Sequence, residues 1–305
     1  MSISKQSCIQ PATLHKGDQI GIISTARKIK KKELVFAKKT LENWGLKVVF
    51  GNNLFKEHNQ FAGTDIQRAA DLQYMIDNPN IKAIICARGG YGTVRILDLV
   101  DFSGLQANPK WIAGYSDVTA LHSTLHNLNI TSLHSSMPIN FSSNTKNSLE
   151  SLKQTLFENP VSYNFPAHDL NRIGNTKGKV VGGNISIIYS LLGSNSDINT
   201  DGKILFLEDL DEYLYHLDRM MINLKRNGKL SKLAGLFIGG VNDMNDNSIP
   251  FGKNAMEIIS EAVFEYDYPV AFNFPAGHIK DNNTIVLGQT AKLATTLNNS
   301  KLTFY

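Results

Sequence analysis

Residues 20–50 read IGIISTARKIKKKELVFAKKTLENWGLKVVF. IGIIS (20–24) is a short apolar run of the length of one buried strand. In ELVFAKKTLENW (33–44), Leu34, Ala37, Leu41 and Trp44 recur at helical spacing, and Gly45 stops the pattern. LKVVF (46–50) is a second strand. A strand, an amphipathic helix and another strand make one unit of a parallel sheet covered by helices.

The alternation continues. GTDIQRAADLQYMID (63–77) offers a cap at Thr64 or Asp65, followed by Ile66, Ala69, Leu72 and Ile76 on one side of a helix. KAIICA (82–87) is the next strand, and Cys86 within it reads as a small buried core residue. Sheets of this kind bind ligands beyond the carboxyl ends of their strands. RGGYG (88–92) and GYSD (114–117) both fall there.

Residues 139–177 are more polar, with one short helix near 148–157. We place an N-terminal α/β domain at 1–145, a connection at 146–177 and a C-terminal domain at 178–305. The second half restarts with GKVVGGN (178–184) and a helix, ISIIYSLLG. KILFLE (203–208) reads as a strand and DEYLYHLDRMMINLKRNG (211–228) as a helix. Further strands are expected at 233–240, 269–274 and near 285–287.

Composition narrows the function. The chain has 305 residues, 42% of them hydrophobic, and a formal charge of +4. Lysines crowd residues 28–39, but no aromatic residues alternate with them as on a base-stacking surface, so no nucleic-acid partner is expected. No apolar run has the length of a membrane span, and the first 18 residues lack the apolar core of a secretory signal. The expectation is a cytoplasmic protein. Two cysteines set no disulfide framework. DMNDNSIPFGKN (243–254) lacks the glycine and glutamate of a calcium loop, and His122 and His126 lack a zinc-peptidase context, so no metal is expected.

Ser116 is the residue that carries chemistry, or else a helix cap. A serine hydroxyl attacks only with a base in reach and donors for the oxyanion, and a tight strand-to-helix turn supplies part of that. GYSDV has the first three elements of a Gly-x-Ser-x-Gly elbow but lacks its final glycine. Capping by Ser116 or Asp117 satisfies the same pattern. Gly89 and Gly90 let backbone N–H groups approach a ligand, or simply turn the chain. In EDLDE (208–212), Glu208 ends a strand and Asp211 and Glu212 favour a helix start. His278 follows a Pro–Ala–Gly turn, while His134 is strand-like and reads as structural.

FAGTDIQRAADLQ, ICARGGYGTVRIL, IAGYSDVTALH, VGGN, FLEDLDEYLYHLDRMMINLKRNGKL and GHIKDNNTIVLGQTAKL occur in this order. Together they resemble the LD-carboxypeptidase family of serine peptidases, which includes murein tetrapeptide carboxypeptidases and microcin-immunity peptidases. The resemblance implies an N-terminal mostly parallel sheet domain like that of class I glutamine amidotransferases, with a smaller C-terminal α/β or mixed β domain. It implies a triad of Ser116, Glu208 and His278, with backbone N–H groups of Asp117 and Gly90 (or Gly89) as oxyanion donors. No metal and no cofactor are implied. The implied substrate is a murein tetrapeptide or related small peptide that loses its terminal D-alanine in peptidoglycan recycling, and a homodimer is implied as well. Arg88, beside the glycine turn, is a candidate for the terminal carboxylate. ISTAR (23–27) and His216 depart from usual family forms and touch substrate contacts rather than the triad. The alternatives are hydrolysis of a microcin-like peptide–nucleotide or other unusual amide, and a silent muropeptide-binding protein.

Overall fold

The computed structural model describes residues 8–158 and 161–305. Residues 1–7 of the N-terminal lead and 159–160 of the expected connection lie outside the described residues. The opening unit folds as a parallel pair, β1 (Gln19–Ile23) beside β2 (Lys47–Phe50), joined by a helical segment that starts as a tight turn at Lys31–Leu34 and continues through Val35–Asn43. Leu34, Ala37 and Leu41 are buried beneath it, and Trp44 closes its end against Phe141, ring centroids 6.3 Å apart.

β3 (Ile81–Cys86), β4 (Trp111–Gly114) and β5 (Ser132–His134) extend the parallel sheet. Helix Asp65–Asp77 begins with a reciprocal cap, Thr64 accepting from the Gln67 N–H and Gln67 accepting from the Thr64 N–H. Its buried face differs from the expected one. Ile66 is 75% exposed, because the buried arc passes through Arg68, Ala69, Leu72, Met75 and Ile76 and leaves Ile66 at its edge. Cys86 is fully buried.

The later strands are β6 (Ser162–Pro166), β7 (Gly174–Asn184), β8 (Ile204–Leu210), β9 (Gly235–Asn242), β10 (Val270–Ala271), β11 (Ile285–Leu287), β12 (Thr290–Thr295) and β13 (Asn299–Phe304). The first sheet has the order β11-β5-β4-β3-β1-β2, with β11 antiparallel at its edge. The second has the order β10-β9-β8-β7-β12-β13-β6. Its β7 to β10 side is parallel, and its β12, β13 and β6 side is antiparallel. The architecture is therefore two-domain α/β with mixed sheets. Helix Lys146–Phe157 and edge strand β6 occupy much of the segment 146–177, and β11 carries the chain back from the second half into the first sheet.

Two elements are shorter than their sequence pattern. The helix expected at 211–228 spans Leu214–Arg226, because Asp211 takes a positive φ of 59° and Tyr213 bridges to Asn245. The strand expected at 269–274 is paired only at Val270–Ala271, beyond which the chain turns toward the site.

One apolar cluster crosses the seam between the sheets. Ile20, Ile85, Trp111 and Leu133 of the first belong to the same cluster as Phe206, Phe237 and Leu293 of the second. Shared burial of this kind resists separation of the two halves, since parting them returns apolar surface to water. Among the described residues no helix is long and apolar enough to cross a membrane.

Candidate active site

The serine sits where the chain leaves a strand. β4 ends at Gly114, and a tight helical turn at Ser116–Val118 leads into helix Thr119–Asn127. A β-carbon on Gly114 would stand 3.0 Å from both methyls of Val118, so the strand and the turn pack as closely as a glycine allows. Ser116 has φ of 63°, a left-handed conformation that costs a non-glycine residue energy. Neither Ser116 nor Asp117 caps the helix. The buried Asp117 carboxylate instead accepts the Thr93 N–H at 2.8 Å, tying the turn to the end of the glycine loop.

Glu208 and His278 converge on this turn from the second half. Glu208, fully buried on β8, lies where the β8–β9 register slips by one residue. Its Oε2 accepts the His278 backbone N–H at 3.2 Å and lies 2.6 Å from Nδ1 of the ring. Nε2 of the same ring lies 3.1 Å from Ser116 Oγ. With Glu208 ionised, Nδ1 carries the proton and donates it, leaving Nε2 to accept from the serine hydroxyl.

The electrostatics agree with that protonation. Burial acts to raise the Glu208 carboxyl, but the His278 charge and the hydrogen bond from its ring outweigh it and hold the group below its ordinary value. Burial acts to lower His278, and the Glu208 carboxylate reverses the balance, leaving the imidazole above its ordinary value.

The loop bearing His278 is held at several points. Gly240 N–H donates to the Ala276 carbonyl, Gly277 N–H to Asn282 Oδ1 at 2.8 Å, and the Asn242 amide to the His278 carbonyl at 3.1 Å. Tyr115 packs its ring 4.9 Å from the imidazole. The ring itself remains 14% exposed, so one edge faces solvent.

The glycine loop borders the serine. A β-carbon on Gly89 would fall 3.1 Å from Ser116 Cβ and 3.2 Å from its Oγ. Gly90 has φ of 116° and is exposed, with the Arg27 side chain standing where a β-carbon would project. Arg88 donates through Nη1 to the Lys28 carbonyl at 3.1 Å, while its buried Nε has no partner among the described residues. Among the described residues no cluster of three or more His, Cys, Asp or Glu side chains is placed to hold a metal ion.

Sequence reasoning singled out VGGN without assigning it work. Gly183 lies against helix Thr119–Asn127, where a β-carbon would fall 2.5 Å from Thr119 Oγ1. The Asn184 N–H donates to that hydroxyl at 3.1 Å, and the Asn184 amide donates to Asp209 at 2.9 Å. Asp209 also accepts the Ser186 N–H. Burial, then the neighbouring Glu208 charge, raises the Asp209 carboxyl to about 7. Asp211 accepts from the Asn245 amide, and Glu212 pairs with the His216 ring in the first turn of helix Leu214–Arg226. Asp209 was legible only as one acid in a run of acids; its burial depends on the parallel pairing of β7 with β8.

Comparisons with known proteins agree with this architecture. Residues 20–135 match the LD-carboxypeptidase N-terminal domain, and residues 177–293 match the LD-carboxypeptidase C-terminal domain. The chain is 34% identical over 296 residues to a probable murein peptide carboxypeptidase of Bacillus subtilis, covering 94% of this chain and 92% of that protein. It superposes on the crystal structure of muramoyltetrapeptide carboxypeptidase from Oxalobacter formigenes with a TM-score of 0.87 and 26% identity, over 94% of this chain and 98% of the other. The structure of MccF in complex with glutamyl sulfamoyl guanosine shares the fold at a TM-score of 0.85 and 22% identity, over 96% and 98% of the two chains. The chain belongs to the LD-carboxypeptidase family of serine peptidases.

Proposed function

We propose that the protein is a serine carboxypeptidase that hydrolyses the terminal L,D-peptide bond of murein tetrapeptides and releases D-alanine. The observation that carries the reading is the continuous relay from Ser116 Oγ through the His278 ring to Glu208, at 3.1 and 2.6 Å. The family and the names borne by its similar proteins support the substrate class.

In this reading His278 Nε2 takes the Ser116 proton as Oγ attacks the scissile carbonyl, and then protonates the departing amine of D-alanine. Glu208 fixes the tautomer and stabilises the imidazolium. The Asp117 N–H, one of the first amides of a helix, and the Gly90 N–H, joined to the glycine that packs on Ser116, receive the oxyanion. Water then attacks the acyl-enzyme with His278 again as base. Arg88, beside the glycine turn, is the candidate partner of the substrate carboxylate. In this reading the protein acts on recycled cell-wall peptides in the cytoplasm, as the homodimer that the family resemblance implies.

The test is a comparison of substrates. A purified L-Ala–D-Glu–diamino acid–D-Ala tetrapeptide should yield tripeptide and free D-alanine, much faster than a peptidyl–nucleotide conjugate is cleaved. Faster cleavage of the conjugate would replace the substrate and keep the chemistry. Tight tetrapeptide binding with no release would leave a binding protein.

A further inference from the structure

His134 ends β5 and is fully buried, yet neither of its ring nitrogens has a hydrogen-bond partner among the described residues. A buried polar group left in this way is rare, because it forfeits its water without replacement. A second such atom is Oε1 of Glu208, the oxygen not engaged by His278.

The two lie in one cluster. The His134 ring packs edge-on against Phe206 at 4.9 Å. Phe206 lies two residues before Glu208 on β8. Tyr115 sits between the histidines, 5.7 Å from His134 and 4.9 Å from His278. The titratable neighbours that act on His134 are Glu208, His122 and His278. Burial drives its pKa to about 3, so the ring is neutral and has one N–H to give.

We propose that His134 is a positioning residue for the relay, donating its N–H through one buried water to Glu208 Oε1 and so holding the carboxylate with Oε2 toward His278. Buried waters bond to buried polar groups that otherwise lack partners, and these two supply one donor and one acceptor. The proposal rests on the Ser116–His278–Glu208 relay and not on the identity of the peptide.

Two variants separate positioning from packing. His134→Phe keeps the ring volume and removes both nitrogens, while His134→Gln loses the ring but restores an N–H donor. Positioning predicts that His134→Phe lowers kcat about 10-fold with KM unchanged, a loss typical of supporting hydrogen bonds, and that His134→Gln recovers part of it. Packing predicts the reverse order, with His134→Phe fully active. The downfield proton resonance of the His278 Nδ1–H bond to Glu208 gives a readout independent of substrate: it should shift in His134→Phe and return toward the wild-type position in His134→Gln. A shifted resonance in a protein that leaves tetrapeptide uncut would retain the positioning role and reject the peptide assignment. Wild-type kcat and an unmoved resonance in folded His134→Phe would overturn the proposal.

Discussion

Gly277 lies so close to Glu208 that a β-carbon at this position would stand 2.7 Å from the carboxylate Oε2. It also has φ of 104°, which side chains rarely adopt. The last turn before His278 is thereby folded over the carboxylate that is bonded to its ring. Gly277→Ala should displace that acid or the loop. We expect a fall in kcat/KM of at least ~100-fold, the scale of a misplacement near 1 Å, with a lowered melting temperature. Wild-type kinetics in Gly277→Ala would show that the close approach does not matter.

The strained serine makes a paired prediction about stability. Ser116→Gly removes the side chain at φ 63° and relieves the left-handed conformation, whereas Ser116→Ala retains the strain. The glycine variant should be more stable than the alanine variant by about 1 kcal/mol, measured by chemical denaturation, with both inactive. Equal stability would mean that the turn stores no strain.

Titration of the site follows from the two opposed shifts. Nε2 must be unprotonated to act as base, so kcat/KM should rise with pH through the raised His278 pKa. Glu208→Gln removes the charge that raises it, so this limb should move to lower pH as the rate falls. Stability responds with the opposite sign at the two groups. The His278 contribution is complete below its ordinary value of 6.5 and is lost as pH rises through the folded value. The Glu208 contribution is present above its ordinary 4.5 and is lost as pH falls through its lower folded value. An unmoved limb in Glu208→Gln would separate the acid from the imidazole.

Asp209 adds a third, distinguishable slope. Its carboxyl is raised from 3.8 to about 7, so between those values the folded state binds a proton that the unfolded state lacks, and stability declines as pH rises. Asp209→Asn should flatten this part of the stability profile. An unchanged slope would assign it to other groups.

Much of this site was legible because each part is local in sequence. GYSD marks a strand-to-helix turn, Glu208 ends an apolar run, and His278 follows a turn-forming segment. The ordered motifs join them into one family pattern. The choice between nucleophile and helix cap was not legible, since both use a polar residue at the same position. What the structure shows is that the cap is absent, with Asp117 reaching Thr93 and neither side chain bonding to the helix start. Strand β11 was legible as an apolar run, but its return to the first sheet was not, because a three-residue strand carries no mark of its partner. His134 was read as structural. Its relation to Glu208 arises only when β5 and β8 face each other across the shared core.

Single-turnover cleavage by Ser116→Ala tests the serine relay most directly. Folded variant and wild type should be mixed in excess with the murein tetrapeptide, and D-alanine release followed with time. The relay predicts at least a ~10⁴-fold loss of rate, the scale seen when a serine nucleophile is removed, with peptide binding retained. Release at the wild-type rate from Ser116→Ala would contradict it.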